Sequence, residues 1–148
     1  MEIPSSLRKE HDELLSILEA AMAESGKVGE MAQIVSDRLM PHFRREEELA
    51  LPQLGILTLS GVGRVEQPEE IHKLTDRMKE ELPRMLEEHV QIAIALEALR
   101  IEAESAGMKE YVEFADRLLL HAQMEEEILY PTALLIGSYV KQVLMTRA

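Results

Sequence analysis

Four histidines stand at matched places along the chain, and two of them are followed four residues later by a glutamate. They are His11, His42 with Glu46, His89, and His121 with Glu125. Residues four apart on a helix lie on the same face, one turn above the other. Each histidine–glutamate pair can therefore reach one point inside a helical protein. Imidazole and carboxylate groups without thiolates suit iron, manganese or zinc.

Burying these six groups has a cost that a metal would remove. Buried imidazoles and carboxylates destabilise a fold unless each is hydrogen-bonded or neutralised. Two cations bridged by Glu46 and Glu125, each also held by two histidines, would neutralise all six. The alternative is a metal-free bundle whose core histidines are hydrogen-bonded to the glutamates, which is the usual explanation for a single histidine on an apolar face.

The chain also repeats itself. Residues 42–52 and 121–131 share a histidine, three consecutive acids, two apolar positions and a proline at the same spacing, and the Glu-His pair at 10–11 is matched at 88–89. The repeat predicts two helical hairpins packed around a pseudo-two-fold axis. Across the site we expect His11 with His42 on one side, then Glu46 and Glu125, then His89 with His121.

Helical signals cover nearly all of the chain. Four main helices are predicted at about 4–26, 30–51, 68–106 and 108–130. Pro83 is expected to break the third helix, and Pro131 either to start a short C-terminal helix or to kink the fourth helix into it. The glycine-containing segment 52–68 is interpreted as the connector between the hairpins. The fold class is therefore predicted as all-α, one domain over residues 1–148 forming an antiparallel up-down-up-down four-helix bundle.

Composition narrows the chemistry. The 148 residues include no cysteine, which excludes disulfides, thiolate ligands and Fe–S clusters. The net charge of −12 argues against nucleic acid and anionic membranes, because both are bound mainly through Lys and Arg. No uninterrupted apolar run is long enough to cross a bilayer, and the N-terminus has no signal-peptide pattern. A cytoplasmic protein without nucleic-acid or membrane partners is expected.

Three further residues are weaker candidates for metal ligands. Glu47 and Glu126 each follow their histidine by five residues, about 140° further round a regular helix, so they are less well aimed than Glu46 and Glu125. His72 lies outside the repeat. We expect it at the surface or next to the ligands rather than among them.

Two of the three tyrosines follow the second histidine–glutamate pair in the chain. Tyr130 and Tyr139 could be redox-active near iron. The simpler expectation is that both pack against apolar neighbours with the hydroxyl reaching water.

The motifs taken together resemble the hemerythrin-like, or HHE cation-binding, domain. The first and third helices each carry a histidine, and the second and fourth each carry H-x-x-x-E, on the fourth with a following proline. The resemblance covers His11 to Pro131. It implies an antiparallel four-helix bundle around two iron ions bridged by an oxo or hydroxo group. It implies ligand roles for six residues, which are His11, His42, Glu46, His89, His121 and Glu125.

The chain departs from the oxygen-carrying members of that family in two ways. Those proteins have five histidines, two of them spaced four apart on the third helix, whereas Met85 and Ala93 flank His89 at that spacing here. They also use a carboxylate five residues after the last histidine, which would favour Glu126 over Glu125. A missing histidine leaves one iron more open, so a sensing, redox or NO-related role is expected rather than reversible O2 carriage.

The leading functional hypothesis is a protein that binds or senses O2, NO, or iron and redox state. The alternative is a small di-iron oxidase, peroxidase or NO-handling enzyme, although no motif for a substrate pocket supports it. Ferritin-like chemistry needs E-x-x-H twice, and the chain has it once, at Glu69 and His72. A metal-free helical scaffold is the remaining hypothesis. No protein partner is indicated, and a homodimer is left open.

Overall fold

The computed structural model describes residues 2–58 and 67–147, and all regular secondary structure in those ranges is helical. The elements in chain order are α1 (Ser5–Met22), α2 (Lys27–Leu49), a 3₁₀ helix (Pro52–Thr58), α3 (Pro68–Ser105), α4 (Lys109–Met124), a π-helical turn (Glu125–Leu129) and α5 (Tyr130–Arg147). Helix α4, the π-helical turn and α5 follow one another without interruption. The all-helical fold class is therefore confirmed.

Glycines make the tight turns between consecutive helices. Gly26, between α1 and α2, has a φ of 76°, and Gly107, between α3 and α4, has a φ of 71°. A residue with a Cβ atom is strained in this region, whereas glycine adopts it freely. The two turns give the short connections that the two-hairpin repeat predicts.

Each of the four main helices packs against two others. The contacts join α1 to α2, α2 to α3, α3 to α4 and α4 back to α1, while α5 packs against α3. Two apolar clusters fill the interior. One includes Leu14, Leu39 and Leu118, and the other includes Met85 and Val140. The predicted ligands fall between the two clusters along each helix, so they form a polar layer with apolar packing on both sides.

Two expectations about prolines and the C-terminus are corrected. Helix α3 continues through Pro83, so the predicted break is wrong. Both Pro83 and Lys79, whose carbonyl loses its helical donor, are exposed, so water can satisfy that carbonyl. Helix α5 has 18 residues, so the C-terminal helix is not short. Of the predicted connector, the first part forms the 3₁₀ helix, and residues 59–66 lie outside the described residues.

The π-helical turn lies directly before Pro131. Proline has no N–H, and its ring clashes with the carbonyl four residues earlier, which disfavours a regular turn before it. Here the Tyr130 N–H bonds to the Glu125 carbonyl, a five-residue step. At the equivalent place in the first repeat, where α2 ends, the Leu51 N–H also bonds to the Glu46 carbonyl, at 3.0 Å, beside the regular bond from the Ala50 N–H at 2.9 Å. A five-residue hydrogen bond therefore follows the glutamate in both repeats.

Within the helical segment Lys109–Thr146, one stretch of 18 residues with a mean hydropathy of 1.3 is long and apolar enough to cross a membrane by length and composition. The window that meets this test is 28% buried, and Leu135, Tyr139 and Met145 are exposed on it. The sequence expectation considered only uninterrupted apolar runs and so missed this segment. A single such helix is weak evidence for a membrane, because helices of soluble proteins pass the same test.

Candidate metal centre

Six polar side chains meet in the buried layer between the two apolar clusters. None of them is more than 6% exposed. The six residues are His11, His42, Glu46, His89, His121 and Glu125. The histidines come one each from α1, α2, α3 and α4, while α2 and the π-helical turn supply the glutamates. The structure therefore brings together all six residues that the sequence selects as ligands.

The ligand atoms form two overlapping groups, within each of which the atoms lie within 4.8 Å of one another. The His11–His121 group consists of His11, Glu46, His121 and Glu125, and the His42–His89 group consists of His42, Glu46, His89 and Glu125. Glu46 and Glu125 belong to both groups. The two glutamates therefore lie where each can offer one oxygen to each of two cations.

The histidines pair differently from the prediction. His11 faces His121 and His42 faces His89, with ring centroids 5.2 and 4.6 Å apart. The sequence repeat predicted His11 beside His42, and that pairing is wrong. Each helix of the bundle has two neighbours, and a repeat does not specify which neighbour its histidine faces.

Close contacts fill the His42–His89 group. His42 Nε2 contacts Glu46 Oε1, and His89 Nε2 lies 3.2 Å from Glu125 Oε1. The two imidazoles approach to 2.9 Å between their Nε2 atoms. Nitrogens this close can share only one proton. At least one of them therefore directs a lone pair into the site, as binding of a cation requires.

Every histidine also has a carboxylate beside its outer nitrogen. The distances from Nδ1 are 3.2 Å for His11 to Glu47, 3.1 Å for His42 to Glu88, 2.9 Å for His89 to Glu126 and 3.8 Å for His121 to Glu10. These pairs obey the internal repeat. A carboxylate on Nδ1 holds the proton there and leaves Nε2 free to bind, which is the usual arrangement at metal-bound histidines.

Arginines hold two of these outer carboxylates. Arg45 donates to Glu88, and Arg117 donates to Glu10 at 2.6 Å. Each of these carboxylates thus contacts an arginine through Oε2 and faces its histidine through Oε1. Sequence reasoning missed Glu10 and Glu88 as functional residues, although their place directly before a histidine in each repeat was the signal that could have found them.

Three buried atoms of the His11–His121 group have no hydrogen-bond partner among the described residues. They are Glu46 Oε2, His121 Nε2 and Glu125 Oε2. The last two lie 3.5 Å apart, which is too long for a good hydrogen bond. Burying such groups unpaired is unfavourable. Because all three can donate a lone pair to one ion, the residues fit a bound cation.

Without a cation, the two groups hold protons unequally. Burial and the charge of Glu46 raise the pKa of Glu125 well above its usual range. Burial also acts on Glu46, but hydrogen bonds from Glu125 and the histidines outweigh it and hold the pKa of Glu46 well below. Burial lowers the pKa of His11 and of His121. Around His89, burial is outweighed by Glu125 and Glu46, which raise its pKa to about 10.

The three weaker candidates lie outside both ligand groups. Glu47 and Glu126 accept from the outer histidine nitrogens, at 33% and 43% side-chain exposure. His72 is one-third exposed and lies 3.6 Å from Asp76 on the same helix. This placement favours Glu125 over Glu126 as a ligand, and the choice stays a prediction until the metal-loaded protein tests it.

Tyr130 is a buried neighbour of the ligands. Its hydroxyl donates to Glu46 Oε1 at 2.7 Å and lies 3.2 Å from His89 Nε2, and its ring stacks on the His89 ring. Burial raises the pKa of Tyr130 above its usual value. The expectation that its hydroxyl reaches water is wrong, whereas Tyr139 is exposed.

An apolar groove between α3 and α4 reaches the edge of the site. Its volume is about 240 Å³, and His89 and Glu126 form part of its wall. Its other lining residues are Val90, Ile92, Ala93, Leu96, Leu119, Ala122 and Gln123. The groove offers a small ligand a path to the outer side of His89.

Comparison with known proteins gives one match. The family model described as the hemerythrin HHE cation binding domain matches residues 3–133. No protein of curated function and no solved structure matches the chain. The match spans all four ligand-bearing helices, and the buried His/Glu cluster is what binding a cation requires. The chain therefore belongs to the hemerythrin HHE cation-binding domain family.

Proposed function

We propose that the chain is a non-haem di-iron protein in which Glu46 and Glu125 bridge two iron ions. Its four ligand-bearing helices alternate in direction, as in other bundles that build carboxylate metal sites. The observation that carries the proposal is that two complete ligand groups share the same two glutamates. The unpaired buried atoms in one of these groups add support, since a cation would satisfy them.

The donor set supports iron as the metal. Four imidazoles and two carboxylates suit iron, and manganese or zinc would also be accepted. When bound, iron would supply redox chemistry and affinity for diatomic ligands. The chain's own residues orient the imidazoles through their outer carboxylates, while the apolar clusters on both sides of the layer exclude bulk water.

We propose that the site binds or senses a small ligand such as O2 or NO, or reports iron and redox state. The groove beside His89 supports this, since its volume of about 240 Å³ is below the range of about 300–1,000 Å³ typical of pockets for larger organic ligands. A di-iron oxidase, peroxidase or NO-handling enzyme is the competing proposal. Steady turnover of peroxide or NO by the loaded protein would favour it.

The net charge of −12 supports a cytoplasmic protein that binds neither nucleic acid nor an anionic membrane. Fractionation of cells that express the chain would test this location. Recovery in the membrane fraction that depends on α5 would contradict it and would assign a membrane role to the exposed side of that helix.

Metal analysis of protein purified without oxygen or chelators tests the function. We expect two irons per chain, one for each ligand group. His42→Ala and His121→Ala remove one ligand from different groups and should each lower the iron content, whereas His72→Ala is the matched control and should not. Protein that binds no metal and resists reconstitution with ferrous iron would overturn the proposal in favour of a metal-free scaffold.

A further inference from the structure

We infer that Tyr130 is itself a metal ligand, the fifth protein donor of the His42–His89 group, and that it makes the two cation sites unequal. This inference rests on the proposed function, because it assumes that both ligand groups hold metal. It is carried by the position of the hydroxyl, by the helix distortion that places it there, and by the residue at the equivalent position of the other repeat.

The hydroxyl of Tyr130 lies at the spacing of a coordinating atom. Donors held about 2.1 Å from one ion and at right angles to each other lie about 3 Å apart. Tyr130 Oη is 2.7 Å from Glu46 Oε1 and 3.2 Å from His89 Nε2. Glu125 Oε1 is also 3.2 Å from that histidine nitrogen. The phenol oxygen therefore lies at the same distance from His89 Nε2 as the oxygen of Glu125, which is a proposed ligand.

The π-helical turn is the reason that Tyr130 can reach the site. On a regular α-helix, a residue five positions after Glu125 points about 140° away from it. The widened turn before Pro131 adds one residue to the turn, so the residue at that position rotates back toward the glutamate's face. Turns of this kind are frequent at functional sites. Both Glu125 and Tyr130 are thereby buried in the same layer.

The first repeat shares the five-residue hydrogen bond but has a different side chain at this position. Leu51 follows Glu46 by five residues, its N–H bonds to the Glu46 carbonyl, and it is 2% exposed, as Tyr130 is. A leucine side chain has no donor atom. By the symmetry of the repeat, the His11–His121 group therefore has four protein donors, whereas the His42–His89 group has five.

The distribution of unpaired atoms agrees with this inequality. All three ligand atoms without a hydrogen-bond partner among the described residues belong to the His11–His121 group. That group is the less complete one. The His11–His121 group accordingly has one protein donor fewer, while the groove between α3 and α4 reaches the edge of the site from the side of His89.

Ligation by Tyr130 replaces an O–H bond with an oxygen–metal bond and changes no oxidation state. The phenol O–H bond breaks, an oxygen–metal bond forms, and the proton passes to solvent. A phenolate bound to ferric iron absorbs visible light through charge transfer from the ring to the metal. The hydrogen bond that Tyr130 now donates to Glu46 is lost in the same step, which leaves that oxygen free for the metal.

The test compares Tyr130→Phe with Tyr139→Phe after loading with iron and oxidation in air. Tyr139 is an exposed residue of the same helix, so its variant is the matched control. We expect a visible charge-transfer band in the wild type and in Tyr139→Phe, and loss of that band in Tyr130→Phe at unchanged iron content. The affinity for the first ferrous ion should fall at least tenfold in Tyr130→Phe, a change of the size seen when residues that support a metal site are lost.

The possible results separate this inference from the function on which it rests. Two irons per chain without a visible band in the wild type, or a band that persists in Tyr130→Phe, would overturn the inference alone. A wild type that binds no iron would overturn the proposed function as well. If Tyr130→Phe does not fold, resonance Raman spectra of wild-type protein with ring-deuterated tyrosine decide, because bands of a bound phenolate shift and their absence rejects the ligand.

Discussion

The two repeats of the bundle place the same inner ligands but differ beyond them. After Glu46 the first repeat has Leu51, and its helix ends in a short 3₁₀ helix. After Glu125 the second repeat has Tyr130, and its helix continues as α5. The spacing and the five-residue hydrogen bond are the same in both. An internal repeat can thus preserve the position of a side chain while its chemistry changes from apolar packing to a hydroxyl.

The outer carboxylates differ between the two ligand groups, each of which takes one histidine from each repeat. The histidines of the His42–His89 group lie 2.9 and 3.1 Å from their outer carboxylates. In the His11–His121 group the corresponding distances are 3.2 and 3.8 Å. One half of the site is therefore more tightly held by the protein, and the other half is looser. The following predictions test this difference.

The largest effect is expected from Glu46→Ala. Glu46 belongs to both ligand groups, so its loss should lower the metal content from two ions per chain to almost none. His11→Ala, which touches one group, should leave about one ion in the other. Elemental analysis measures both variants, with Glu48→Ala as the exposed control. Retention of one tightly bound ion in Glu46→Ala would show that the glutamates are not shared.

The equivalent positions 51 and 130 should differ in what they stabilise. Leu51→Ala leaves a cavity in the core and should lower the free energy of unfolding of the apoprotein by about 2–5 kcal/mol. Tyr130→Phe loses a buried hydrogen bond to a carboxylate, which is worth about 1.5–3 kcal/mol. Urea denaturation of the metal-free protein measures both.

Leu57→Ala is the control for this pair of variants. Leu57 is 59% exposed, so its truncation should change the unfolding free energy by no more than about 0.5 kcal/mol. A loss for Leu51→Ala no larger than that of this control would contradict its assignment to packing, and an equally small loss for Tyr130→Phe would contradict its hydrogen bond to Glu46.

Outer carboxylates should matter in proportion to their distances. Glu126→Gln removes the carboxylate 2.9 Å from His89 and should weaken metal binding by about 10–100-fold. Glu10→Gln should have a smaller effect, because Glu10 lies 3.8 Å from His121 and is held mainly by Arg117. Competition with a chelator of known affinity gives both values. Equal losses would mean that the outer carboxylates do not distinguish the two groups.

The smallest effect concerns protons. The pKa of His89 is raised to about 10, so the metal-free His42–His89 group holds a proton at pH 7. A cation must displace this proton, and the metal affinity of this group should therefore rise as the pH rises toward 10. Burial lowers the pKa of His11 and of His121, so those imidazoles are neutral at pH 7 and give no such rise. Calorimetry in buffers of different ionisation enthalpy counts the released protons. His89→Ala should lower the count, and His11→Ala should not.

The sequence predicts the inner ligands because their spacing alone places them on helix faces. No tertiary information was needed to place four histidines at matched positions, two with a glutamate four residues later, in one layer. Tertiary information was needed to identify which histidine faces which. A repeat relates α1–α2 to α3–α4, but α1 packs against both α2 and α4. The observed pairing of His11 with His121 depends on that second contact.

Departures from regular helix geometry account for the other errors. Tyr130 was expected to pack with its hydroxyl reaching water. On a regular helix its five-residue offset from Glu125 would point it away from the site, and the π-helical turn reverses this. Pro83 was expected to break α3, but its exposed position lets water replace the missing donor. Pro131 is exposed as well, so what distinguishes it is its place directly after the π-helical turn and the buried Tyr130.

The contact between α5 and α3 has a consequence for any shortened form of the chain. At Gly137, about two turns beyond Tyr130, a Cβ atom would clash with the side chain of Thr75. Thr75 is buried, and its hydroxyl bonds to the Ile71 carbonyl. This close approach fixes the position of α5 along α3, and thereby how deeply Tyr130 is buried in the polar layer. A protein truncated within α5 would keep every candidate histidine and glutamate ligand, and we expect any iron it binds to differ in colour and affinity from iron bound by the whole chain.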